Sequence, residues 1–147
     1  MATREPIYAA LYNLVVSHPA VKNQFVTTGR LLRLFAQTDQ ASMPALFFFQ
    51  QGEDHVRDGK GIPDKRTLHC VFVLYCWTQD AGTLPATLAN TLLDVIDDCL
   101  NQPGNPQNVQ TLGGLVEHVY IEGRVQIAEG LLQEVTVVTV PIAILIP

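Results

Sequence analysis

The side chains that could carry out catalysis are few in this sequence, and their spacing matches no catalytic motif. The histidines His18, His55, His69 and His118 form neither an HxxxH nor an HExxH pair, the spacing that a helical zinc site needs. No serine lies in a nucleophile-elbow pattern, and the cysteines form no CxxC pair. We therefore predict that the protein is not an enzyme and uses no cofactor or metal.

One acidic cluster has an unusual position. Asp94, Asp97 and Asp98 follow one another at i, i+3 and i+4 near the end of a predicted helix. Negative charge at that end opposes the helix dipole and costs about 0.3–1 kcal/mol per charge. The cluster is either a solvated polar face, or a contact with a basic patch of another subunit or with a weakly held divalent cation. The basic residues that could face it are Arg30, Arg33, Lys65 and Arg66.

Composition narrows the class of protein. The 147 residues fit a single domain, residues 1–147, and 48% hydrophobic with 16% charged content is typical of a globular chain. The net charge of −5, without a basic cluster, disfavours specific nucleic-acid binding, which requires Lys and Arg against phosphates. The odd number of cysteines favours a reduced compartment over a disulfide framework. The longest apolar run is shorter than the ~20 residues of a membrane helix, so we expect no membrane association.

Two amphipathic helices and several strands must position these side chains. The first helix ends before Pro19, because the residue preceding a proline avoids the α region. The second follows Thr83 and places its apolar residues on one stripe, with the three aspartates on the opposite stripe. We predict strands within residues 25–35, 45–50, 67–77, 115–122 and 135–146.

The order α-β-β-β-α-β-β predicts an α+β fold, a mostly antiparallel sheet of about five strands with two helices packed on one face. Residues 125–129 either continue the fourth strand or form a turn. Pro141 has no N–H for a ladder bond, so it indicates that the last strand lies at an edge or contains a bulge.

The apolar surface of this sheet exceeds what two helices can cover. The consecutive apolar residues 45–49 indicate that both faces of their strand are covered, by the core on one side and a neighbouring subunit on the other. About one apolar face of the sheet is left without a cover. Such a face usually marks an interface, and self-association into a closed ring would bury it.

A charged loop is predicted at residues 51–66, between two strands. It contains three glycines and a proline, and its length is unusual inside a compact domain, which favours a functional or mobile segment. A docking role and a solvated hairpin tip are both open. The candidate interface residues in this loop are Glu53, Asp54, His55, Arg57, Asp58, Lys60, Lys65 and Arg66.

Over nearly its whole length the chain resembles the small tail terminator, or tail completion, proteins of long-tailed phages. The order and spacing of several short motifs carry the resemblance. These motifs are VTTGR at 26–30, PALF at 44–47, QGE at 51–53, NTLLD at 90–94, TLGG at 111–114, VYIEG at 119–123 and PIAILIP at 141–147.

The resemblance implies a virion structural protein at the junction of tail and neck, assembled in the host cytoplasm. Such a protein forms a homo-hexameric ring that caps the tail tube, stops its polymerisation and docks onto the head-tail connector or stopper protein. DNA passes through the lumen of the ring without specific binding. The alternatives are another neck protein, such as a head-side connector or stopper, and a small cytosolic domain that binds a metal through the aspartate cluster.

Overall fold

The computed structural model describes residues 3–32, 38–57, 59, 65–77, 85–101, 109–132 and 135–146. The described helices are α1 (Arg4–Val16), α2 (Pro19–Gln24) and α3 (Pro85–Leu100), with a short 3₁₀ turn at Gln40–Ser42. The described strands are β1 (Thr27–Gly29), β2 (Ala45–Val56), β3 (Lys65–Trp77), β4 (His118–Ile121), β5 (Gln126–Leu132) and β6 (Val135–Ile146).

The strands form one mixed sheet in the order β1-β2-β3-β6-β4, with β5 also paired to β6. The β1–β2 pair is parallel, and the other pairs are antiparallel. The predicted α+β class is confirmed, but the sheet has six strands instead of about five. The extra strand is β5, which lies where residues 125–129 were predicted either to continue the fourth strand or to form a turn.

The helices pack on one face of the sheet, as predicted. Alternate residues of β3 point to that face and are buried against apolar residues of α1 and α3. The predicted apolar stripe of α3 is buried there, including Leu92 and Ile96. A further short helix, α2, follows α1, and the His18 Nδ1 accepts a hydrogen bond from the Ala20 N–H at its start (3.2 Å). Pro19 therefore ends α1, as predicted, and also begins α2.

The opposite face of the sheet contains a second buried cluster, and here the prediction of an uncovered apolar face is wrong. The cluster is Met43, Ala45, Phe47, Val71, Val73, Tyr75 and Val135, each at most 7% exposed within the single chain. Met43 belongs to this cluster and Leu32 packs against it. Both residues come from the segment between β1 and β2. Both faces at residues 45–48 are covered, but the chain itself supplies the cover and no neighbouring subunit is needed.

Half of the predicted loop at 51–66 is β-structure. Strand β2 continues to Val56 and β3 begins at Lys65, with Val56 paired to Lys65. Between the two strands, residues 58 and 60–64 of the predicted loop lie outside the described part of the chain. This part of the hairpin was not predicted because its side chains are polar and show no strand pattern. The ladder is formed by backbone groups, which any residue supplies. A register shift between Gln50 and Gly52 marks the point where the polar part begins.

Strand β6 lies inside the sheet, so the prediction that Pro141 marks an edge or a bulge is wrong. Its ladder with β3 runs without a shift, and β4 and β5 pair with its other side. The pairing with β4 ends at Ile142, and the pairing with β5 begins at Thr139. Pro141 therefore lies between the two partners, where the missing N–H leaves no ladder bond unmade.

Two other predicted strands are shorter than expected. Residues 115–122 contain only β4, because residues 112–115 form turns in which Gly113 and Gly114 have positive φ angles. The first strand is Thr27–Gly29 alone, and Arg30 to Leu32 lie outside it. Residues 33–35 lie outside the described part of the chain.

Candidate functional site

The charged residues of the hairpin end divide between the two faces of the sheet. After the register shift, Glu53 and His55 pair with Leu68 and Arg66 and lie on the helix-covered face, whereas Asp54 pairs with Thr67 and lies on the opposite face. Of the predicted site residues, Arg33, Asp58 and Lys60 lie outside the described part of the chain.

On the helix face, Glu53 joins the hairpin to α1. The Arg4 guanidinium donates two hydrogen bonds to the Glu53 carboxylate, at 2.5 and 2.9 Å. The His55 Nε2 lies 2.8 Å from the Glu53 Oε2. The bond from Arg4, followed by the contact with His55, lowers the pKa of Glu53 to about 2, from an ordinary value of 4.5. The carboxylate is therefore held ionised and positioned.

A second ion pair fixes Arg30 close to the same helix. The Arg30 guanidinium donates to both carboxylate oxygens of Glu5, the Nη2–Oε2 bond being 3.2 Å long. This hydrogen bonding lowers the pKa of Glu5 and raises that of Arg30. The Arg30 Cζ also lies 5.9 Å from the centre of the Phe48 ring, within the range of a cation–π contact. Arg30 is therefore paired with a carboxylate of its own chain.

On the opposite face, His69 lies between two carboxylates. Its Nε2 is 2.7 Å from the Asp54 Oδ2, and its Nδ1 is 3.7 Å from the Glu122 Oε2. The three side chains come from β2, β3 and the residue after β4. Nearby on β4, the His118 and Tyr120 rings stack with centroids 5.2 Å apart. Desolvation, followed by the charge of Glu122, raises the pKa of Tyr120.

The remaining cations of the hairpin end lie at its tip. Arg57 and Lys65 are exposed and Arg66 is half-buried. Together with the Glu53 and Asp54 carboxylates they make this end of the sheet charged on both faces. The described residues of this end include no nucleophile beside a base.

The aspartate cluster lies where it was predicted, on the solvent side of α3. Asp94, Asp97 and Asp98 are exposed, and none of them takes part in the ion pairs found between described residues. Within the described ranges, no group of three or more His, Cys, Asp or Glu side chains is arranged to hold a metal ion. The prediction that a basic patch of another subunit faces this cluster stays a prediction.

The thiols lie in the core. Burial raises the pKa of Cys70 and Cys76 to about 12, and burial followed by the Asp98 charge raises that of Cys99 to about 11. A thiolate is the reactive form of cysteine, so these three groups are poor nucleophiles in the folded protein.

A shallow cavity of about 490 Å³ lies beside β5. It is lined by residues 124–128 together with Val137 and Thr139 of β6, so polar and apolar side chains both contribute to it. Ile127 is 49% exposed although it lies in a strand.

Several of the residues that form these contacts were not predicted from sequence. Arg4, Glu5, Glu122 and Tyr120 reach the site only through the tertiary fold, since Arg4 and Glu53 are 49 positions apart. No local spacing signals such a pair. Residues 53–55 are all polar, so no alternation of side chains marks that stretch as a strand either.

No family model and no curated protein matches the chain. Among the helices of the described segments, none is long and apolar enough to cross a membrane.

Proposed function

We propose that the protein is a phage tail terminator, which forms a hexameric ring on the end of the tail tube. The observation that carries the proposal is the order of short motifs along nearly the whole chain, from VTTGR at 26–30 to PIAILIP at 141–147. The α+β fold is compatible with it, as the resemblance implies a sheet with helices.

In this proposal the protein acts through two binding surfaces, one at each end of the ring. One end of the ring covers the last ring of tube subunits and removes the site at which another would add. The other end docks onto the head-tail connector or stopper protein. The charged end of the β2–β3 hairpin, with Glu53 and Asp54 on its two faces, is the proposed docking element. The net charge of −5 suits a lumen through which DNA moves without binding.

Tube polymerisation in the presence of the purified protein tests this function. Tail tube protein is allowed to polymerise with increasing amounts of the protein, and tube lengths are measured by negative-stain electron microscopy. We expect shorter tubes that carry a ring at one end. Tubes of unchanged length, with binding to isolated heads, would identify a head-side neck protein instead.

A loop replacement tests the docking element. Residues 58–63 are exchanged for a Gly/Ser segment of equal length, which leaves β2 and β3 complete. We expect the variant to fold and cap tubes but to join heads poorly, measured as the yield of infectious particles in complementation. Lys22→Ala, on the exposed side of α2, is the control and should join heads normally. A normal yield of infectious particles from the loop variant would show that residues 58–63 are not part of the docking surface.

A further inference from the structure

We draw no further inference here: the strongest candidate, the side-chain cluster of Asp54, His69 and Glu122 on the sheet face opposite the helices, consists of a histidine between two exposed carboxylates, and no second observation among the described residues points to a ligand for it.

Discussion

The two ends of the β2–β3 hairpin share one ladder and differ in what surrounds it. At the first end, Phe47 and Phe48 point to opposite faces, and each is buried in its own apolar cluster. At the other end, Glu53 and Asp54 point to opposite faces, and each takes part in ion pairs near the surface. Burial of apolar area dominates folding free energy, whereas exposed ion pairs contribute little. One hairpin therefore combines an end that stabilises the fold with an end whose ion pairs contribute little to folding.

Truncation of Phe47 should have the largest effect. We expect Phe47→Ala to lower the free energy of unfolding by about 3–5 kcal/mol, as for other buried aromatic residues. Phe47 is 1% exposed and meets the Tyr75 ring edge-on at 5.9 Å between centroids. Denaturant unfolding at low protein concentration measures this change in the free energy of unfolding. Phe48→Ala, on the helix face, is the matched variant. A loss below about 1 kcal/mol would mean that this face is not buried in the monomer.

Acid should affect the charged end first. The pKa of Glu53 is about 2 in the folded protein and 4.5 ordinarily, so its ion pairs stabilise the fold above pH 4.5. That contribution is lost as the pH falls from 4.5 toward 2. Melting temperatures across this range should therefore fall less steeply for Glu53→Gln than for the unaltered protein.

Two comparisons sharpen the acid experiment. In the Glu53→Gln variant, part of the pH dependence of the melting temperature should remain, because the pKa of Glu5 is also lowered, by its hydrogen bond to Arg30. Arg4→Ala, which removes the donor that lowers the pKa of Glu53, should flatten the profile as Glu53→Gln does. Identical slopes for Glu53→Gln and the unaltered protein would contradict the assignment.

The smallest effect is expected on the opposite face. A double-mutant cycle of Asp54→Asn and His69→Gln should give a coupling of about 0.2–1 kcal/mol, typical of exposed pairs, and salt should reduce it. The Asp54 side chain is 74% exposed, which is the reason for the low value. A coupling above about 2 kcal/mol would show that this end is structurally more important than its exposure suggests.

The sequence predicted best those elements whose side-chain pattern follows the backbone period. The stripe of α3 and the alternation of β3 both matched the burial found in the structure. Residues 51–56 were mistaken for loop because the polar residues there obey no apolar alternation, although β3 provides their ladder. The cover over Phe47 depends on Leu32 and Met43, which lie in a segment without a periodic pattern.

The position of the charged site in the chain could be predicted from the sequence, but the contacts of its side chains could not. The hairpin end was identified by composition, but which face each charge occupies depends on the single register shift at Gln50/Gly52. A shift of one residue exchanges the faces of every later side chain. The contacts with Arg4 and Glu122 depend on that shift and on the packing of α1 and β4, and neither leaves a local pattern in the sequence.

The central position of β6 controls how quickly the sheet can form. Its pairing with β3 joins Trp77 to Val135 and Arg66 to Ile146, so every rung of that ladder closes a long loop. Loop closure costs entropy before the ladder bonds form, and sheets dominated by such pairs fold in about milliseconds to seconds. If the β2–β3 hairpin formed first, the flank of β3 that β6 covers, which is rich in apolar residues, would be left open to wrong pairing with other chains. The late position of β6 in the chain thus makes its arrival the step that completes the sheet.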